Sequence, residues 1–238
     1  MSAGALGASP SPPAPRVSAI LPTYNRATLL PHAVASVLGQ DFDDLELILV
    51  DDASTDGTEA WAKALERRDA RVRYTRHAIN QGGAAARNTG LALARGEFVA
   101  FQDSDDTWSA GKLLAQVAAL DAEPAAVLCF AQCIHVEGGR ESVVPSPDVG
   151  HRAAARLLGS NAIPMLTVVA RREALARAGP FDPMLPRLHD WDLWLRMAPL
   201  GPFVFLPLPL GRRHAQPDSL SRRHEVYVTA VERMLQKN

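Results

Sequence analysis

The sequence predicts an α/β fold built on a mostly parallel central sheet flanked by helices. Three observations carry that expectation. Segments of strand and helix character alternate as β-α-β-α-β-α-β-α-β between Val17 and Ile134, and such alternation packs helices on both faces of a parallel sheet through right-handed crossovers. The strand segments are short continuous apolar runs, as strands buried on both faces require. Two of them stop abruptly in carboxylates, Asp51-Asp52 after one and Asp103-Ser104-Asp105-Asp106 after another. Parallel topology puts both clusters on the sheet edge where ligands bind.

Val17 to Leu21 is the first strand, expected to break at Pro22, which has no N–H to offer a ladder. Leu29 to Leu38 follows with Leu30, Val34, Val37 and Leu38 on one helical face. Leu45 to Val50 is the second strand. Asp56 and Glu59 have the spacing of an N-cap and its reciprocal partner, opening a helix through about Arg67. Val72 to Arg76 is the third strand, Asn80 to Gly83 a loop, and Ala84 to Ala94 an alanine-rich helix. Phe98 to Phe101 is the fourth strand, Lys112 to Leu120 a helix, and Val127 to Ile134 the fifth strand. Beyond Glu137 the pattern loosens. Gly138 to Gly150 reads as a mobile loop, Ala153 to Leu158 as a short helix, Ile163 to Ala170 as a strand and Arg172 to Ala178 as a helix. His189 to Arg196 is a short amphipathic helix, and Phe203 to Leu206 with Leu208 to Arg213 are the last strands.

Composition is that of an ordinary globular chain. A formal net charge of −1 over 238 residues gives no pull toward nucleic acid. Cys129 and Cys133 lie in an apolar run, the wrong spacing for a CxxC motif, and read as buried thiols of a reducing, cytoplasmic compartment. No apolar segment approaches the length that spans a bilayer. Residues 1–16, rich in Ala, Ser, Gly and Pro, lack the charged and apolar regions of a secretory signal and read as a disordered leader.

The acids carry the chemistry. Carboxylates packed as closely as Asp103, Asp105 and Asp106 repel unless a cation neutralises them. Hard oxygen ligands suit Mg²⁺ or Mn²⁺, and Mg²⁺ is commonly shared between carboxylates and a substrate's phosphates. The competing reading is a solvated turn, since Asp and Ser are ordinary turn residues. Calcium loops fail at both clusters: counted from Asp103 the closing position is Leu114, and counted from Asp52 it is Lys63, where a bidentate carboxylate is required. The Gly82-Gly83 loop lacks the Gly-Lys-Ser/Thr of a P-loop, and no Gly-x-Gly-x-x-Gly follows the first strand.

Four segments together resemble the family 2 glycosyltransferases. They are Pro22-Thr23-Tyr24-Asn25-Arg26, the run from Asp51 to Thr58, the run from Gly82 to Gly90 leading to Asp103-Ser104-Asp105-Asp106, and Asp190-Trp191-Asp192-Leu193-Trp194-Leu195-Arg196. The resemblance covers about Val17 to Arg222. It implies the nucleotide-diphospho-sugar transferase fold called GT-A, in one domain over residues 17–225. Residues 17–135 would be its nucleotide-binding half, 136–225 its acceptor half and 226–238 a tail. The implied reaction is metal-dependent inverting transfer from a nucleotide-diphosphate sugar, UDP-linked before GDP or dTDP, to a carbohydrate or glycolipid hydroxyl. Polysaccharide or glycolipid synthesis is the implied setting, with a cytoplasmic location and peripheral membrane contact left open.

The resemblance also implies roles by position. Pro22 and Tyr24 would lie at the nucleotide base, Asp52 would bond base or ribose, and Arg87 would approach the nucleotide or its phosphates unless it is a helix-surface cation. Asp103 would contact ribose or metal, Asp105 would hold Mn²⁺ or Mg²⁺, and His214 is a further metal ligand or a surface imidazole. Asp106 is a weaker candidate for donor sugar or metal. Asp190 matches the base that takes the acceptor proton, and is also placed to cap a helix. Relatives often carry Glu before this Asp; here it is His189. Trp191 and Trp194 either stack on an acceptor sugar or pack the helix onto the sheet. Two other classes compete: a nucleotide-sugar-binding module that has lost catalysis, which the retained acids oppose, and a sugar-1-phosphate nucleotidyltransferase, whose Gly-rich signature after strand one is absent.

Overall fold

The computed structural model describes residues 14–144, 148, 153–216 and 224–237. The N-terminal half alternates β1 (Val17–Thr23), α1 (Leu30–Leu38), β2 (Leu45–Asp51), α2 (Thr58–Glu66), β3 (Val72–Arg76), α3 (Gly83–Leu93) and β4 (Phe98–Phe101). Then come β5 (Thr107–Trp108), α4 (Lys112–Ala122), β6 (Leu128–Glu137), β7 (Arg140–Val144) and α5 (Ala153–Leu157). The chain continues through β8 (Val169–Arg171), α6 (Arg172–Ala178), α7 (His189–Met197), β9 (Phe203–His214) and α8 (His224–Lys237). One sheet runs β3-β2-β1-β4-β8-β6-β9-β5, with β7 on β6. β3, β2, β1 and β4 pair in parallel, β8 is inserted antiparallel between β4 and β6, and β9 runs parallel to β6.

Strand alternation divides the core between the two faces of the sheet. Ala19 and Leu21 of β1 with Phe98 and Ala100 of β4 pack in one cluster, beneath Leu30 and Val34 of α1. Ile20, Val99 and Phe101 point the other way, into a cluster with Phe181, Trp191 and Trp194. A Cβ on Gly90 would lie 2.4 Å from Cγ2 of Ile20, so glycine alone lets α3 rest this close on β1. That approach carries Arg87, one turn earlier on α3, to the ends of β1 and β4.

Several elements differ from the sequence expectation. β1 runs through Pro22 to Thr23. The Ile20 carbonyl accepts from Gln102 N–H on the β4 side, and residues two apart face the same neighbour. Pro22 therefore turns its missing donor toward a strand that has already ended at Phe101. The capping box does not form: Asp56 accepts from Thr58 N–H and Ala27 N–H, while Glu59 pairs with Lys63 and Arg76. Residues 140–144, expected in a mobile loop, form β7 as a hairpin with β6, turning through Gly138 and Gly139 at positive φ. Of the expected strand from Ile163 to Ala170 only the end is β8; Met165–Thr167 is a 3₁₀ turn, with Thr167 Oγ1 donating to the Pro164 carbonyl. Its apolar residues mark burial, which a helical turn satisfies as well as a strand does. The two expected final strands are one irregular strand, β9, with register shifts against β6. The expected tail contains most of α8. The expected leader, apart from Ala14 to Arg16, and the segment 217–223 lie outside the described residues.

Candidate active site

A cleft of about 540 Å³ opens at the carboxyl ends of β1, β2 and β4. Pro22, Tyr24, Asp52, Arg87, Asp103 and Asp105 line it, together with Gly82, Gly83 and His189. The loops leaving β1 and β2 are stitched to each other: Asn25 N–H donates to Ser54 Oγ at 2.9 Å, and Thr55 N–H to Asn25 Oδ1 at 2.8 Å. Asn25 and Ala53 both take positive φ there. Tyr24 is left 46% exposed on the cleft wall.

The adjacent acids Asp51 and Asp52 do different work. Asp51 is fully buried and accepts from Ser54 N–H and the Tyr74 hydroxyl. Asp52 faces the cleft and organises the loop before α3. Its Oδ1 accepts from Gln81 N–H at 2.9 Å and its Oδ2 from Gly82 N–H at 2.7 Å. Gly82 sits at φ 88°, a conformation open to glycine. His77 Nδ1 donates to Asp52 Oδ1 at 2.7 Å, and its Nε2 bonds Thr89 Oγ1 at 2.9 Å. A line of contacts thus runs from α3 through His77 to the Asp52 carboxylate.

Arg87 is 8% exposed, and its two terminal nitrogens go to different partners. Nη2 donates to Asp103 Oδ1 at 2.5 Å and Nη1 to His189 Nε2 at 3.0 Å, while the buried Nε has no partner. This answers the helix-surface alternative: Arg87 is a buried cation of the cleft. A guanidinium only donates, so His189 Nε2 must present its lone pair and the ring is neutral. Burial, reinforced by the Arg87 charge, pushes the His189 pKa down to about 3. With its lone pair engaged and its basicity removed, His189 is unsuited to proton abstraction.

The acids after β4 form a graded set. Asp105 lies 4.0 Å from Arg26 Nη2. Asp106 is buried and accepts from the backbone N–H of His214 at 2.9 Å. Burial, with Asp103 and Asp105 adding repulsion, raises the Asp106 pKa to about 8. His214 Nε2 bonds Thr107 Oγ1 at 3.1 Å, and burial followed by the Arg212 charge lowers its pKa. Among the described residues, no three His, Cys, Asp or Glu side chains are grouped closely enough to hold a metal ion, so His214 is not assembled with Asp103 and Asp105. The acids nonetheless suit a hard divalent cation: they are oxygen donors, and Asp103 and Asp105 add to the burial that raises the Asp106 carboxyl.

Asp190 stands one residue into α7, outside the residues that line the cleft. Its Oδ2 accepts from Asn161 Nδ2 at 2.9 Å and its Oδ1 from Trp191 N–H at 2.9 Å. Burial raises its pKa; Asn161, the Trp191 N–H and the Arg87 charge oppose the rise, and Asp103 adds to it. The carboxylate is therefore held in place and made more basic than a solvated one. Leu188, not Asp190, occupies the N-cap position. Trp191 Nε1 donates to the Leu157 carbonyl, and Trp194 is fully buried with its ring edge against Phe101. Both tryptophans pack α7 and line no part of the cleft.

The sequence reading missed His77, Thr89 and Asn161, which hold Asp52 and Asp190 in place. Isolated polar residues of this kind carry no local signal; their partners lie 12 to 29 residues away.

A model of the family described as Glycosyl transferase family 2 matches residues 18–165. The chain is 34% identical over 185 residues to the UDP-Glc:alpha-D-GlcNAc-diphosphoundecaprenol beta-1,3-glucosyltransferase WfgD of Escherichia coli, over 75% of this chain and 68% of that protein. It is 43% identical over 100 residues to a Campylobacter jejuni GalNAc(5)-diNAcBac-PP-undecaprenol beta-1,3-glucosyltransferase, over 42% of this chain and 32% of the relative. The structure of S. aureus TarS 1-349 with UDP-GlcNAc superposes with TM-score 0.77 at 22% identity, over 92% of this chain and 65% of that one. A Pyrobaculum calidifontis mannosyltransferase, PcManGT, with GDP-Man and Mn²⁺ superposes at TM-score 0.71 and 24% identity, over 94% of this chain and 64% of that one. The chain thus spans about two thirds of the length of three of these and a third of the other.

Proposed function

The chain belongs to glycosyl transferase family 2 with a GT-A fold, and from that premise we propose that it is an inverting transferase moving a sugar from a UDP-linked donor to a hydroxyl of a lipid-diphosphate-linked saccharide. The observation that carries the reading is the convergence of Asp52, Arg87, Asp103 and Asp105 on one cleft at the strand ends. The donor assignment draws support from the UDP-glucose in the name of WfgD and the UDP-GlcNAc bound to TarS. The acceptor assignment draws support from the undecaprenol-linked acceptors in the names of two relatives.

In this reading Tyr24 stacks on the base beside Pro22, and Asp52 accepts from base or ribose with its remaining lone pairs. Arg87 holds Asp103 and presents positive charge to the diphosphate. Asp103 and Asp105 would hold Mn²⁺ or Mg²⁺, with Asp106 behind them. When bound, the ion supplies Lewis-acid stabilisation of the leaving nucleoside diphosphate. Asp190, basic and fixed by Asn161, takes the proton from the acceptor hydroxyl as the oxygen attacks the anomeric carbon from the face opposite the leaving group. The saccharide acceptor reaches the site from a membrane surface. The undecaprenol-linked acceptors of two relatives support work at a membrane surface; among the described residues no helix is long and apolar enough to cross a membrane.

Thermal stability of the protein with UDP, GDP or dTDP, each with Mn²⁺ and with EDTA, tests the donor half. A ligand at a hundredfold excess over its Kd stabilises the native state by about 2.7 kcal/mol. The expected result is a shift with UDP that EDTA removes and that Asp105→Asn abolishes. A shift with GDP alone, or one indifferent to EDTA and Asp105→Asn, overturns the corresponding assignment.

A further inference from the structure

The mouth of the cleft carries large apolar side chains that the donor site does not use. Pro183, Leu185 and Pro186 line the cleft, while Met184 among them stands outside the lining and 72% exposed. The loop that holds Met184 is laid along α8. Arg233 donates to the Met184 carbonyl at 2.7 Å, and the Arg187 guanidinium covers the Tyr227 ring, 5.2 Å from its centroid. Ala230 and Met234 bury the inner side of α8, which leaves Tyr227 and Val228 exposed, Val228 at 57%. On the other rim Ile79 is 70% exposed, beside Asn80, whose side chain donates to the Asp52 carbonyl at 3.2 Å.

Single exposed apolar residues are ordinary on a protein surface. Here they stand on both rims of one opening, with two arginines among them. That combination fits the headgroup layer of a bilayer: apolar ends enter the acyl boundary, guanidiniums stay at the phosphates, and a tyrosine ring spans the two. Charge contributes little net pull. Asp182 turns a carboxylate oxygen back to the Met184 N–H at 2.9 Å, and Glu232 is an exposed acid next to Arg233 on α8. The apolar groups must then supply most of the binding. The proposed acceptor names the occupant. A saccharide joined through a diphosphate to a membrane lipid brings its hydroxyl to the cleft only where the mouth faces the bilayer, so the rim meets lipid.

We propose that the rim of Ile79, Met184, Tyr227 and Val228, with Arg187 and Arg233, is the face on which the protein rests on a phospholipid bilayer, cleft mouth toward the lipid. This rests on the reading of the acceptor as lipid-linked.

The test is co-sedimentation of the full chain with phosphatidylcholine vesicles, with and without phosphatidylglycerol. Melting temperatures, with and without UDP and Mn²⁺, are taken on the same samples. The unaltered protein should partition onto phosphatidylcholine, and phosphatidylglycerol should strengthen binding by no more than about fivefold, the worth of one cation near an anionic surface. Met184→Ser with Val228→Ser should weaken partition at least about tenfold, because two apolar side chains no longer enter the acyl boundary. Ile79→Ser alone should weaken it about threefold to tenfold. Leu114→Ser should change nothing: Leu114 is exposed on α4, whose Leu113 and Val117 pack on the opposite face of the sheet from Trp191 and Trp194 of α7. Each variant should keep the UDP shift, because none of these side chains lines the cleft. A folded protein that shows the UDP shift but ignores vesicles overturns the inference and leaves the transferase reading standing. So does vesicle binding that Met184→Ser with Val228→Ser leaves intact, or a protein that avoids vesicles and dimerises through this face. Vesicle binding that the variants weaken as expected, with no shift from UDP, GDP or dTDP, upholds the face and ends the donor reading instead.

Discussion

The two walls of the cleft are built by different means. The wall of Tyr24, Asp52, Arg87 and Asp103 rises from the ends of adjacent parallel strands and the helix behind them. Its bonds are local on the scale of the fold: Asn25 to Thr55 and Asp52 to Gly82 each span 30 residues, and Arg87 to Asp103 spans 16. The wall of His189, with Asp190 next to it on α7 but outside the lining, comes from beyond β7 and is tied to the first by contacts spanning 102 residues at Arg87 and 93 at Asn88. Its seat is the cluster of Phe101, Phe181 and Trp194. The first wall is formed wherever the parallel sheet is formed. The second stands only once α7 has docked, so the proposed donor binding and the proposed proton abstraction should be separable by mutation.

Asp190→Asn is the sharpest test of that separation. It should lower kcat by about 10²–10⁴-fold, the usual contribution of a positioned general base. UDP affinity should stay unchanged, because no residue of the first wall bonds to it. Initial rates and calorimetry on the same sample decide: a parallel loss of affinity would mean that the walls work as one unit, and surviving transfer would put the base elsewhere.

A smaller effect should come from the first wall alone. His77→Ala removes the side chain between Asp52 and Thr89, leaving the Asp52 carboxylate one partner short. A buried bond to a charged group of this kind is worth about 1.5–3 kcal/mol. The donor KM should therefore rise by at least about tenfold, with kcat changed much less. His77→Gln, which keeps a donor toward Asp52, should recover part of the loss. An unchanged KM with a lowered kcat would reverse the assignment of His77 to the donor wall.

The smallest effect is one of pH on the metal-free protein. The Asp106 carboxyl is raised from 3.8 to about 8 by burial and by Asp103 and Asp105. Between those values the folded state keeps a proton that the unfolded state has released, so stability falls as pH rises, by at most about 1.4 kcal/mol per pH unit for one group. His189, lowered from 6.5 to about 3, works in the opposite sense below pH 6.5. Lys112, fully buried against Gln116 and lowered to about 7, works against it above pH 7. The informative quantity is then the difference between the unaltered protein and Asp106→Asn, melted in EDTA from pH 6.5 to 8. The variant should lose less stability over that range, and Mn²⁺ should narrow the gap. Identical slopes would show that Asp106 ionises normally and that the three acids do not act on one another.

The residues by themselves determined the alternation of elements, the buried parallel strands and the arrival of both acid clusters at one sheet edge. These follow from side-chain period and from the rule that parallel strands end together, and both are properties of short stretches. The four motif segments were legible for the same reason, each being contiguous in the chain. Tertiary structure alone decided that Asp51 holds its loop while Asp52 faces the cleft, since adjacent residues at a strand end point opposite ways and only the packing of Tyr74 and His77 says which is which. It decided that β1 passes through Pro22, because that depends on where β4 stops. It joined Arg87 to His189 and Asn161 to Asp190, and left His214 apart from Asp103 and Asp105. A hydrogen bond between side chains far apart in sequence requires the register of the strands and the angles of the helices on them, and those are set by the close packing of the whole core.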